Sequence, residues 1–311
     1  MNAHKAFARM PFDSIPKVPR VSHDFWNYPS QKLAMKSSVL GPLNIHYQVR
    51  GKGEPLLLVH GLMTTSYSFR YLAPLLADRY TLFIPDLPGA GRSTMPQDPS
   101  YALPAMAQWL TEFQQALGIS GCACVANSMG GLISMQAALD HPGVFSHLVN
   151  IHAPAFPMMR FYALRAALAV PGASEVLYQL VNLNPLKWAH RNIHYFDETL
   201  KSLEEAHEYG DPLASREGCY ALYKFLYETL NPAGLSRFVE RLKVLQQSGR
   251  SFPVPLTMIY SRQDPMVPPA VGTRLARLVP SANMIWLENT SHFAHVDTPE
   301  AIQNKVLAAL A

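Results

Sequence analysis

The stretch from Cys122 to Gly131, Cys-Ala-Cys-Val-Ala-Asn-Ser-Met-Gly-Gly, limits the fold more than any other in the chain. An apolar run ends at Asn127-Ser128 and a glycine pair follows, the pattern of a buried strand, a tight turn and a helix. Ser128 stands at the tip of that turn. Its surroundings keep a Gly-x-Ser-x-Gly spacing with one change, Ala126 in place of the first glycine. Small residues are needed there because strand and helix nearly touch on either side of the serine. Ala126 adds a single methyl, the smallest departure available. The helix is expected over Leu132 to Leu139. His141-Pro142 stops it, since the residue before a proline is driven out of the helical region.

The rest of the chain supplies a sheet for this elbow to belong to. Leu43 to Val49 alternates apolar and polar residues, as a half-buried strand does. Pro55 to His60 is a continuous apolar run, which suits a strand covered on both faces. Further strands are predicted over Thr81–Pro85, His147–Ile151, Val254–Tyr260 and Asn283–Leu287, with helices over Ser66–Ala77 and Pro104–Leu117. A final helix should start at Thr298 as N-cap and Pro299, with Ile302, Val306 and Leu310 as its apolar stripe. Strands alternating with helices give an α/β class with a mostly parallel central sheet flanked by helices.

That rhythm stops after His152. From Pro154 to about Arg250 the pattern is helical and richer in Tyr, Leu and Met; Tyr220, Tyr223 and Tyr227 share one helical face and read as packing. The expected organisation is an extended N-terminal arm (1–40), a first part of the sheet domain (41–153), an inserted helical cap (154–250) and a second part of the sheet domain (251–311). The arm carries Pro11, Pro16, Pro19 and Pro29, and Phe25, Trp26 and Tyr28 are its expected anchors. It lacks the continuous apolar core of a secretion signal. A weak contact of this arm with a membrane surface is the alternative to its lying on the domain.

Composition removes several classes of function. A net charge of +4 spread over 311 residues, with no Lys/Arg run, does not call for nucleic acid. The three cysteines fit neither a disulfide framework nor a zinc spacing and read as core thiols of a cytoplasmic, reducing compartment. No apolar run has the length of a membrane span. No His/Cys/Asp spacing calls for a metal, and no glycine loop precedes a helix in the dinucleotide pattern, so no cofactor is expected.

A serine hydroxyl is a poor nucleophile at neutral pH unless a base takes its proton, and the base needs a third group to hold its tautomer. Asp264 lies just after the strand that ends at Tyr260, and His292 just after the one that ends at Leu287. Functional groups of open α/β sheets sit beyond the carboxyl ends of the strands, and Ser128, Asp264 and His292 all do. Asp297 and His295 are rivals close to His292 but fall toward the last helix. Asp140 and His141 end the elbow helix, away from the serine. His147 and His194 read as ordinary surface or core histidines.

With these residues the chain resembles the α/β-hydrolase-fold serine hydrolases that carry a helical cap. The likeness runs from about residue 41 to the C-terminus. It rests on His60-Gly61, Asp86-x-Pro-Gly-x-Gly-Arg-Ser93, Ser128 in its elbow, Asp264 and His292, in the chain order nucleophile, acid, base. The resemblance implies an oxyanion hole made by the backbone N–H groups of Leu62 and Met129, a structural His60, and an Asp86 that ties loops together. It implies an esterase- or lipase-like enzyme cleaving a small hydrophobic carboxylic ester through an acyl-enzyme on Ser128. The cap would choose the substrate, with Phe161, Tyr162, Leu164 and Trp188 walling the pocket. Two other activities resemble parts of the same pattern. The first is the C–C bond hydrolases of meta-cleavage products, whose elbow Asn127-Ser-Met-Gly-Gly131 resembles. Against it, the residues after His60-Gly61 lack their glycine-rich form, and Phe293 follows the histidine where those enzymes tend to carry Trp. The second is a small-ligand receptor on the same fold.

Overall fold

The computed structural model describes residues 6–311. Eight strands form one sheet: β1 (Ser30–Ser37), β2 (Gly41–Gly51), β3 (Glu54–Val59), β4 (Tyr80–Pro85), β5 (Ala123–Asn127), β6 (Leu148–Ile151), β7 (Leu256–Ser261) and β8 (Asn283–Leu287). Their spatial order is β1-β2-β4-β3-β5-β6-β7-β8. The pairs β1–β2 and β2–β4 are antiparallel; every pair from β4 to β8 is parallel.

The period of two along a strand is what divides the core. In β3, Leu57 and Val59 join the cluster on one face, with Trp109 and Phe113 of α2 (Leu103–Ala116) and Leu132 of α3 (Met129–Asp140). Leu56 and Leu58 join the other, with Leu72 and Leu76 of α1 (Leu72–Leu76) and Ile302 and Val306 of α12 (Pro299–Leu310). All four β3 side chains are fully buried, each contributing about 1.5–3 kcal/mol of transfer free energy. A strand with apolar side chains on both faces can only sit inside a sheet covered on both sides, and the continuous run Leu56–Val59 is that requirement written in sequence.

Between β6 and β7 the chain builds α4 (Met159–Leu168), α5 (Ala173–Asn182), α6 (Pro185–Asn192), α7 (Leu203–Gly210), α8 (Arg216–Lys224) and α9 (Pro232–Gln247). Tyr220, Tyr223 and Tyr227 stack along one side of this region, with ring centroids 5.6 and 5.4 Å apart. After β7 come α10 (Pro269–Leu278) and the short α11 (Ala294–Asp297), which runs into α12. Among the described residues no helix is long and apolar enough to cross a membrane.

Four expectations need correction. Residues 30–37, assigned to the arm, form β1, paired from Ser30↔Gln48 to Ser37↔Gly41. Its Ser, Gln and Lys residues mask the pattern because an edge strand needs only one apolar side, here Leu33 and Met35. The remainder of the arm lies against the molecule: Phe25 is buried, the Trp26 indole N–H donates to Glu204 and the Arg50 guanidinium sits over the Tyr28 ring; residues 1–5 lie outside the described residues. The single helix expected over Ser66–Ala77 is two pieces, a 3₁₀ turn over Ser66–Phe69 and α1. Pro74 has no N–H and fits only the first turn of a helix, so a helix holding it must begin shortly before. The elbow helix begins at Met129, directly after Ser128, three residues earlier than expected. Thr298 stands at the N-cap of α12, but its hydroxyl donates to the Ala294 carbonyl, because α11 runs directly into that position.

Candidate active site

Ser128 joins β5 to α3 with φ +56°, a left-handed conformation that costs a non-glycine residue about 1–3 kcal/mol and turns its side chain out of the sheet. The turn is possible only because neighbouring backbone comes very close. A Cβ on Gly61 would lie 2.9 Å from the Ser128 Cβ, and one on Gly130 would run into the His60 and Val59 carbonyl oxygens. Ala126 is accommodated in full burial, so the missing first glycine does not prevent the elbow.

The candidate acid Asp264 and candidate base His292 follow the ends of β7 and β8. His292 Nδ1 lies 2.7 Å from Asp264 Oδ2. The other carboxylate oxygen of Asp264 accepts the backbone N–H groups of Met266 (2.6 Å) and Val267 (2.8 Å). Burial pushes the Asp264 carboxyl up, but the charge and hydrogen bond of His292 outweigh it and hold the group ionised, below the usual carboxylate range. An ionised partner at Nδ1 keeps the imidazole proton there and leaves Nε2 with its lone pair.

Ser128, His292, Gly61, Leu62 and Met129 all face one cavity of about 440 Å³. Met129 is the first residue of α3, so its N–H has no acceptor within the helix. The opposite wall comes from the helices between β6 and β7: Phe161, Leu164 and Leu168 of α4, Leu177 of α5, Trp188 of α6 and Leu222 of α8. Tyr162, expected among them, is half exposed and faces away, because Phe161, Leu164 and Leu168 already occupy the inward side of α4.

The rival groups are engaged elsewhere. Asp297 accepts the N–H groups of Ser291 and Phe196 and does not touch His292; burial raises its carboxyl to about 6. His295 is buried against Phe69 and Phe293, and burial depresses its pKa strongly. Asp140 pairs with Arg241, His141 meets Gln108, His147 meets Thr257 and His194 lies near Glu198. Asp86 accepts from Ser66 N–H and Arg92 N–H and meets His46 Nδ1 at 2.9 Å. Burial would raise its carboxyl, yet His46 and the other donors bring it down to about 2. His60 Nε2 accepts the Leu87 N–H, so both residues join loops, as their expected structural roles require.

One residue at the site was not singled out from the sequence. His152 directly follows β6, and together with Asp264 and His292 it offers ligand atoms within 4.8 Å of one another, all buried. Both ring nitrogens of His152 are already hydrogen-bonded to backbone, and His292 Nδ1 is bonded to Asp264, so the set is a poor fit to a cation. The rule that picks out Asp264 and His292, a polar residue just past a strand's carboxyl end, applies equally to His152.

Residues 54–299 match the family profile described as the alpha/beta hydrolase fold. Among curated relatives, the chain is 26% identical over 264 residues to the uncharacterized hydrolase YugF of Bacillus subtilis, covering 84% of this chain and 91% of that one. It is 27% identical to a pimeloyl-[acyl-carrier protein] methyl ester esterase of Aeromonas hydrophila, over 80% of this chain and 92% of the relative. The solved structure of Cfl2 from Burkholderia cenocepacia superposes with a TM-score of 0.74 at 19% identity, covering 96% of this chain and 99% of that one. With a profile match over most of its length and the same fold, the chain belongs to the alpha/beta hydrolase family.

Proposed function

We propose that the chain is a serine hydrolase that cleaves a hydrophobic carboxylic ester through an acyl-enzyme on Ser128. The observation that carries this reading is the convergence of a strained serine and an Asp264-held histidine on one apolar cavity. In the proposed reaction His292 Nε2 takes the Ser128 proton as Oγ attacks the ester carbonyl carbon. The carbonyl oxygen becomes an oxyanion accepted by the Leu62 and Met129 N–H groups, each worth roughly 2.7–4 kcal/mol by the effect of removing one such donor. Collapse expels the alkoxide, which receives the proton held on Nε2 and leaves as the alcohol. Water, deprotonated by the same nitrogen, then releases the acid and restores the serine.

Residues from about 154 to 250 act as a cap whose apolar inner side selects the substrate. Leu164, Leu168, Leu177 and Leu222 offer an acyl chain dispersion and desolvation, and Arg160 is the one formally charged Lys, Arg, Asp or Glu among the lining residues described. Buried free thiols at Cys122, Cys124 and Cys219 accord with a reducing, cytoplasmic setting. The curated relative named as a methyl ester esterase supports ester cleavage over the C–C bond alternative. A fluorophosphonate probe tests the assignment: wild type should be labelled and Ser128→Ala should not, and equal labelling of both would remove Ser128 as nucleophile.

A further inference from the structure

We propose that His152 is the positioning residue of the acid–base pair: its neutral ring bridges the backbone that carries His292 to the backbone that carries Asp264. The inference rests on the reading of Ser128, Asp264 and His292 given above.

His152 leaves β6 with φ +58°, another left-handed residue, which turns its ring back over the ends of the neighbouring strands. Nδ1 lies 2.9 Å from the backbone carbonyl oxygen of His292, and Nε2 lies 2.7 Å from the backbone nitrogen of Ser261. A carbonyl can only accept and an N–H can only donate, so the proton sits on Nδ1 and the lone pair on Nε2. A doubly protonated ring would set its second N–H against that of Ser261. Burial acts in the same direction, lowering the ring's pKa to about 4. His152 is fully buried and its ring lies 5.5 Å from that of His292, at an interplanar angle of 29°.

The carbonyl of His292 has a second donor. Asn127, the residue before the nucleophile, donates from Nδ2 to it at 3.1 Å, and to the Ile151 carbonyl at 3.3 Å. On the other side of the ring, Ser261 also joins the two loops, its hydroxyl donating to the Thr290 carbonyl at 2.6 Å. The backbone of the base is thus held from the ends of β5 and β6, and the backbone of the acid is held by the same imidazole. His152 is not among the residues that line the cavity, so it acts through His292 and the loop that carries Asp264. What it sets is where His292 Nε2 points, and a misplacement of about 1 Å at that step can reduce turnover about 10²-fold.

Two half-substitutions separate the bonds. In His152→Asn the side-chain N–H₂ can replace Nδ1–H toward His292 but nothing reaches Ser261, and Asn tolerates the positive φ. In His152→Gln the longer amide can reach Ser261 but no longer serves His292. The readouts are kcat and KM on a p-nitrophenyl ester, the fluorophosphonate labelling rate of Ser128, the melting temperature, and the proton resonance of His292 Nδ1–H. The expected result is a kcat about 10²-fold lower in His152→Gln with KM little changed, slower labelling and a displaced resonance, with His152→Asn recovering most of the rate. Asn127→Ala removes the other donor to the same carbonyl, and its folded fraction should show a smaller loss of the same kind. The proposal is overturned if folded His152→Gln labels and turns over like wild type. Should both His152 variants fail to fold, a normal kcat in Asn127→Ala overturns it equally. Failure of the underlying reading looks different: wild type itself would then not be labelled at Ser128, or His292→Ala would keep its activity.

Discussion

The two walls of the cavity are built on opposite principles. On the sheet side, polar atoms are pinned by hydrogen bonds: Asp264 to His292 and two backbone N–H groups, His152 to two loops, Asp86 to three partners. On the helical side the wall is Leu, Phe and Trp, and apolar side chains also face outward there, with Met159 81% and Tyr162 50% exposed on α4 and Val170 60% exposed just after it. Directional bonds in a buried setting fix atoms to within fractions of an ångström, as proton transfer demands. Apolar contacts are non-directional and can be exchanged at similar volume for a modest cost. A chain built this way can keep its chemistry while its substrate range drifts.

The comparison breaks first at Ser128. Ser128→Ala should lower kcat on the order of 10⁶-fold while leaving binding of a non-hydrolysable ester analogue unchanged, measured by steady-state kinetics and calorimetry. Substantial residual turnover would mean that the sheet side does not carry the reaction.

Next comes the choice of acid. Asp264→Asn offers His292 the wrong hydrogen-bonding group and should reduce kcat roughly 10⁴-fold. Asp297→Asn should retain most of the activity, because that carboxyl serves the Ser291 and Phe196 N–H groups instead. The reverse ranking would transfer the role of acid to Asp297.

A pH experiment sharpens the contrast without kinetics. The His152 ring is pushed from 6.5 to about 4 in the folded protein. Between those values the unfolded chain binds a proton that the folded one refuses, so this group's contribution to stability is complete above pH 6.5 and is lost as pH falls toward 4. The full difference is about 3 kcal/mol. Asp264, His292, Tyr260 and His295 influence or face the same ring and are present in both proteins, so the comparison is with His152→Asn. Urea unfolding at pH 7.5 and 4.5 should show wild type losing more stability than the variant; equal losses would show that the ring is not held neutral.

The smallest effects belong to the helical side. Shortening Leu164, Leu168 or Leu222 to Ala should move the preferred acyl length upward, each added methylene gaining about 0.8 kcal/mol where it fills the new space. A panel of p-nitrophenyl esters of increasing length checks this. Uniform loss of rate at an unchanged optimum would make the helices a cover that does not select.

The features legible in the sequence are those written over a few consecutive residues. The buried strand Leu56–Val59, the elbow at Ser128 with its glycine pair, and the change of period after His152 each depend on local spacing, which backbone sterics and burial convert directly into structure. Asp264 and His292 could be placed because both follow strands whose pattern is clear. The break inside Ser66–Ala77 and the edge strand Ser30–Ser37 are hidden, because the apolar pattern runs on across the first and shows only one side of the second. The inward turn of Leu164 with the outward turn of Tyr162, and the clamp of His152 and Asn127 on the His292 carbonyl, exist only in the tertiary structure. His152 and His292 are 140 residues apart, and no spacing rule along a chain encodes which backbone oxygen a ring nitrogen meets once eight strands are laid side by side. Local pattern determined the elements and the order of the candidate groups; strand adjacency decided how those groups are held.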